Sequence, residues 1–184
     1  MASAKSALVG VRNNPLPATY PHEQLQFEAT VSDLDLSVAQ TRDQPLSPRL
    51  AAIVDALPLK PGLRVLEIGC GPGAAARAIV RRIDTGHVLG IDRSAKAIAQ
   101  ARAESKAELA SGRLSFRQVA AEDFELLKGE KPYDIALAVR VGAFDGRHPE
   151  TGRIARQRIR KALVKGGRLF IDGGHPLREI SLAD

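Results

Sequence analysis

The chain has no tryptophan, one cysteine and one methionine, and its aromatic content is only 4%. With so few aromatics, platforms for stacking nucleic-acid bases are scarce. One cysteine excludes an internal disulfide, and a reducing, cytoplasmic setting is the expectation. No apolar run reaches the roughly 18 to 20 residues that a membrane helix needs. The first residues, Met1 to Lys5, lack the apolar core of a secretory signal. Internal repeats and low-complexity tracts are absent, and no metal site is expected.

What is present is ordinary for a globular protein with one real core: 184 residues, 44% hydrophobic and 26% charged. The formal charge is +6 and the pI about 9.8, which permits a nucleic-acid partner without requiring one. The positive charge is concentrated. From Arg147 to Arg168 there are eight Lys or Arg residues and one acid, Glu150. On a helical projection Arg153, Arg156 and Arg160 share a face opposite Ala155, Ile159, Ala162 and Leu163, the pattern of an amphipathic helix with a solvated side.

Periodicity is weak up to about residue 45, where Pro15, Pro17 and Pro21 oppose a helix. The alternation of Leu25, Phe27, Ala29 and Val31 suits a short strand. Residues 1–45 are read as an N-terminal arm or lid, and 46–184 as the main domain. Ser47 is placed to cap a helix with Pro48 at its first position and a stripe of Leu50, Ile53, Val54 and Leu57. Strands are then expected at 64–68, 87–92, 114–119, 133–139 and 168–172. Helices are expected at about 74–84, 95–111 (capped by Ser94), 123–127 and 150–164. Strands alternating with helices imply an α/β doubly wound, mostly parallel sheet with helices on both faces, because parallel strands need crossovers. In such sheets ligands bind beyond the C-terminal strand ends.

The stretch Val65-Leu66-Glu67-Ile68-Gly69-Cys70-Gly71-Pro72-Gly73 carries the most information. A strand that breaks on glycines into a helix lets a ligand approach bare backbone. The pattern of Glu67 followed by Gly69, Gly71 and Gly73 at alternate positions resembles the first motif of class I S-adenosylmethionine-dependent methyltransferases. Gly69-x-Gly71-x-x-Ala74, with Asp92 about 20 residues on, also fits the loose dinucleotide fingerprint. The third alternate glycine and the carboxylate beside the turn favour the sulfonium cofactor, since a pyrophosphate there would be repelled.

The resemblance extends over about residues 47 to 172. It implies that Asp92, ending Val88-Leu89-Gly90-Ile91-Asp92, accepts the ribose hydroxyls in bidentate fashion, with Arg93 either over the adenine or simply exposed. Ala120-Ala121-Glu122-Asp123 stands where family members often begin with an Asp, so adenine recognition falls to the Ala121 backbone and to Glu122 or Asp123. Val139 and Arg140 end the fourth strand, and the Asn/Asp-Pro-Pro-Tyr type signature of many amino-directed enzymes is missing. Leu163 to Ile171 resembles the family's turn into strand five. The donor residues implied are Glu67, Gly69, Cys70, Gly71, Pro72, Gly73, Asp92, Arg93, Ala121, Glu122, Val139 and Arg140, with S-adenosyl-L-homocysteine as product. His175 and His148 are the catalytic candidates, ahead of Glu150, Tyr20 and His22. Only twelve residues follow Asp172. The sheet is therefore expected to lack the family's usual last two strands and to leave strand five open, covered by the arm or by a second subunit in a homodimer.

The reading that follows is a methyltransferase acting on a small molecule by in-line transfer. The rivals are an RNA methyltransferase using the basic 150s helix, a non-catalytic cofactor-binding or scaffold protein, and a nicotinamide-dependent oxidoreductase.

Overall fold

A computed structural model describes residues 46–182. The expected arm, its strand at 25–31, Tyr20 and His22 lie outside the described residues. Helix α1 (Pro48–Ala56) opens as its sequence dictates, with Ser47 Oγ accepting from the Leu50 amide and proline in the first turn. Then follow β1 (Arg64–Ile68), α2 (Ala74–Val80), β2 (His87–Asp92), α3 (Ala95–Glu104), α4 (Lys106–Ala110) and β3 (Leu114–Gln118). A 3-10 turn (Ala121–Asp123), β4 (Tyr133–Ala138), α5 (Pro149–Ala162), β5 (Leu163–Asp172) and β6 (Leu177–Ile180) complete the domain.

The six strands form one sheet in the order β3-β2-β1-β4-β5-β6. All neighbours are parallel except β5 and β6. Strand order reverses between β1 and β4, which opens a crevice at their C-terminal ends. Side chains alternate across the sheet. Val65, Val88, Ile135 and Leu137 join Ile53, Ile79 and Ile98 in the core on one face. Leu66, Ile68, Leu89 and Ala136 join Ala155, Ile159 and Phe144 on the other. The basic helix thus buries the apolar face expected of it.

Four expectations are corrected. Strand five is not left open: residues after Asp172 turn back, and β6 pairs antiparallel with it from Leu169↔Ile180 to Asp172↔Leu177. One strand beyond β5 is therefore present, and neither arm nor second subunit is needed to cover that strand, which removes the structural basis for a homodimer through it. The expected single helix 95–111 breaks at Ser105, whose φ of −118° leaves the helical range and whose buried hydroxyl accepts from Arg77 of α2. The expected helix 123–127 is instead a loop organised by Glu130. Its carboxylate accepts from the Leu127 amide, from the Tyr133 hydroxyl at 2.6 Å and, on both oxygens, from Arg117 Nη2 at 2.8 and 2.9 Å. The expected turn at Lys165-Gly166-Gly167 is an irregularity inside a continuous strand, with Gly166 at φ +81°.

Candidate functional site

Between β1 and α2 the chain turns at residues 69–73, where Gly69, Gly71 and Gly73 take φ of +69°, +53° and +78°. Side chains rarely adopt this region, which explains glycine at alternate positions. The turn is held by backbone bonds. The amides of Gly69 and Cys70 both donate to the Ile91 carbonyl, and Gly73 donates to Cys70. Gly73 is packed from below: a Cβ there would stand 2.7 Å from Phe116 Cζ. Gly71 faces open space, with nothing within 4 Å of where a Cβ would be.

Asp92, at the end of β2, holds this turn. One carboxylate oxygen accepts from the Gly71 amide at 3.0 Å and the other from the Ser94 amide at 2.8 Å. Each oxygen keeps a further lone pair, so both remain able to accept from hydroxyls of a ligand.

Glu67 shares the sheet face of Val65 and lies beneath the turn, only 4% exposed. Burial raises its pKa to about 8, against the opposing pull of the Ala76 amide and the Arg77 charge, while Asp92 adds to the rise. Its Oε2 has no hydrogen-bond partner. A buried carboxylate oxygen without a partner is costly unless something donates to it. Cys70 is also buried, and burial together with the Glu67 and Asp92 charges drives its thiol far above the usual range, which makes it unreactive.

A cavity of about 480 Å³ lies at the strand ends, within the usual range for small-ligand sites. One wall comes from β1, β2 and β3: Gly69, Asp92, Arg93, Val119, Ala120, Ala121 and Glu122 are among its residues. The other comes from the segment between β4 and α5 and from the start of α5: Arg140, Val141, Gly142, Ala143, Arg147, His148 and Thr151. That segment packs closely on α5, because the Ala143 carbonyl would lie 2.2 Å from a Cβ at Gly152. Only glycine allows such an approach at this helix position.

Of the residues singled out from sequence, Gly69, Asp92, Arg93, Ala121, Glu122, Arg140 and His148 line the cavity. Glu67, Cys70, Gly71, Pro72 and Gly73 form the turn and the strand below it, and Val139 packs against the core. His175 is exposed in the turn between β5 and β6 and is not among the lining residues. Sequence reasoning missed Asp172, Gly142 and Arg147 as site residues. Arg147 was visible only as one member of a basic run, and nothing local marks Asp172, since its partner Arg140 lies 32 residues away.

S-adenosylmethionine fits these residues on chemical grounds. The turn exposes backbone at Gly71, Asp92 has acceptor capacity for two hydroxyls, and the unpartnered Glu67 oxygen suits a cationic or N–H-bearing tail. Among the described residues no group of three metal-ligating side chains occurs, and no helix is long and apolar enough to cross a membrane.

Residues 59–179 match the family described as a methyltransferase domain. Among curated proteins, the chain is 34% identical over 167 residues to protein-L-isoaspartate O-methyltransferase 1 of Rhodopseudomonas palustris, covering 91% of this chain and 61% of that protein. It is 34% identical over 100 residues to trans-aconitate 2-methyltransferase of Streptomyces avermitilis, covering 54% of this chain and 35% of that protein. Among solved structures, an S-adenosylmethionine-dependent methyltransferase from Thiobacillus denitrificans in complex with S-adenosyl-L-homocysteine matches with a TM-score of 0.54 and 23% identity. That match covers 76% of this chain and 54% of the other, and is a likeness of fold. The chain spans between about a third and three-fifths of the length of the curated relatives it matches. With the match running from the turn before β1 into β6, over a mostly parallel sheet that opens on a three-glycine turn, this chain belongs to the methyltransferase-domain family.

Proposed function

We propose that the protein is an S-adenosylmethionine-dependent methyltransferase acting on a small molecule. The observation that carries this reading is the glycine turn after β1, bound by its Gly71 amide to Asp92 and followed by a helix against the one unpartnered carboxylate oxygen of Glu67. Gly69, Cys70, Gly71, Pro72 and Gly73 would supply bare backbone to the donor, and Asp92 would accept its ribose hydroxyls. Arg93, Ala121 and Glu122 would border the adenine, with Val139 and Arg140 at the end of β4 closing the far side. When bound, S-adenosylmethionine supplies a methyl group already activated on a sulfonium. The residues then have to hold an acceptor in line with it, because positioning accounts for much of the acceleration of such a displacement. His148 lines the cavity and would take a proton from any acceptor that must lose one. The relatives' names give trans-aconitate and L-isoaspartyl protein as their acceptors, and the acceptor here is taken to be a small molecule reaching the cavity from solvent. A cytoplasmic location goes with this reading and rests on the cysteine count.

The test is thermal unfolding of the protein with S-adenosylmethionine, S-adenosylhomocysteine, NAD and NADP in parallel. A ligand at 100 times its dissociation constant adds about 2.7 kcal/mol. A rise in Tm with the two adenosyl-sulfur compounds alone is expected; a rise with a nicotinamide dinucleotide alone would overturn the reading.

A further inference from the structure

The cavity is divided by charge. The wall from β1, β2 and β3 carries the carboxylates of Asp92 and Glu122 with Arg93. The wall from the β4–α5 segment carries Arg140, Arg147 and His148 and no lining carboxylate. Four features show that this second wall is organised. Arg140 takes φ +58°, a conformation glycine adopts with less strain, yet the position bears a long cation. Its amide is held there by Asp172, and its guanidinium makes no ion pair among the described residues. Arg147 is exposed and paired at 2.6 Å with Asp145, which is itself partly open to solvent. Such a pair is weak in water and yields to a ligand carboxylate of the same geometry. At Gly142 the missing side chain leaves room: a Cβ there would stand 3.4 Å from both Arg147 Nη2 and His148 Cδ2, so the two groups gather over one strip of backbone. Thr151, in the first turn of the 14-residue α5, places the positive end of that helix against the same wall.

We propose that this wall binds the methyl acceptor, and that the acceptor is a small carboxylate anion methylated on a carboxylate oxygen. The inference rests on the methyltransferase reading and names its substrate class. A lone pair of the carboxylate oxygen forms the new O–C bond while the S–C bonding pair returns to sulfur. The sulfonium and carboxylate charges cancel, leaving a methyl ester and a neutral thioether. No proton moves, so no general base is required. Arg140 and Arg147 hold the anion in register with the donor, as arginine does for carboxylates through paired N–H bonds.

The test begins with calorimetric titration of the full chain with S-adenosylhomocysteine; no binding overturns the methyltransferase reading itself. Labelled S-adenosylmethionine is then offered with succinate, citrate, trans-aconitate and benzoate, and separately with catechol and phenethylamine. Label is expected in one or more of the carboxylates, as an ester that alkali cleaves to labelled methanol. R140G keeps the backbone conformation and removes the guanidinium, and R147A removes an exposed side chain. Each is expected to raise the acceptor KM at least tenfold, with R140K intermediate, and in R147A, a position outside the donor residues, the Kd for S-adenosylhomocysteine stays within threefold. Donor binding without methylation of any carboxylate in the panel overturns the inference and leaves the methyltransferase reading standing. An unchanged acceptor KM in both variants also overturns it.

Discussion

The backbone amide of Arg140 donates to Oδ1 of Asp172 across 2.9 Å, joining the ends of β4 and β5 at the mouth of the cavity. The second oxygen of Asp172 accepts from Arg49 of α1. One carboxylate thus fixes a left-handed residue in the cavity wall and ties it to the first helix. Replacing Asp172 by Ala is expected to cost about 1–2 kcal/mol of stability, the loss of a charge-assisted bond. It is also expected to lower kcat/KM for the acceptor about tenfold, with donor affinity unchanged. Unfolding curves and donor titration, made alongside steady-state kinetics, separate these effects. Equal losses in donor and acceptor binding would count against a local role.

Arg140→Gly is expected to hold or raise the Tm, because relieving a left-handed non-glycine residue returns on the order of 1 kcal/mol. A fall of several degrees would mean that the Arg140 side chain supports the fold.

The glycines of the turn should separate by mechanism. At Gly71 a methyl group meets nothing within the protein. Gly71→Ala should therefore fold, at a strain cost of about 1 kcal/mol, and lose at least tenfold in S-adenosylhomocysteine affinity by filling the face a ligand would use. At Gly73 the methyl would meet the Phe116 ring at 2.7 Å and Ala101 at 3.2 Å. Gly73→Ala should be the less stable of the two by about 1–3 kcal/mol. Similar unfolding curves for the two variants would contradict this packing.

Glu67 makes stability fall as pH rises. Its carboxyl titrates near pH 8 in the folded chain, raised by burial, and near 4.3 when unfolded. Between those values the folded state binds more protons than the unfolded one, so stabilisation by the protonated form is full below about pH 4 and is lost as pH rises through 8. Glu67→Gln should flatten that slope and raise the Tm at pH 8–9, and it should weaken donor binding most above pH 8, where the carboxylate is ionised and can offset the donor's cationic tail. An unchanged pH profile in Glu67→Gln would show that Glu67 is ionised at no cost.

Glu130 works in the opposite sense. Burial raises its pKa, but the Tyr133 hydroxyl, the Leu127 amide and Arg117 outweigh that and hold it below the ordinary value. Its contribution is present above the unfolded pKa and is lost as pH falls through the lowered folded value. Glu130→Ala should cost about 2–3 kcal/mol at pH 7, because it leaves a buried hydroxyl and a cation without their shared acceptor. Thermal melts at pH 7 and pH 3 check this: the difference between wild type and variant should shrink in acid.

The sequence by itself determined the parallel sheet, its helices and the glycine turn. These rest on local rules: alternation along strands, caps at Ser47 and Ser94, and positive φ that glycine alone takes without strain. The donor side of the cavity was legible for the same reason, since Glu67, Gly69, Gly71 and Gly73 fall within one turn and Asp92 ends the next strand. Tertiary structure alone decided the rest. The four residues of β6 are too short to show periodicity, and they form a strand because β5 offers an unpaired edge. Ser105 ends a helix because Arg77 reaches it from α2. Arg140 and Asp172 meet because β4 and β5 are neighbours in the sheet, and Arg147 becomes part of a cavity wall because α5 packs against Ala143 at Gly152. Contacts between residues far apart in the chain are set by strand order and packing, which leave no local pattern to read.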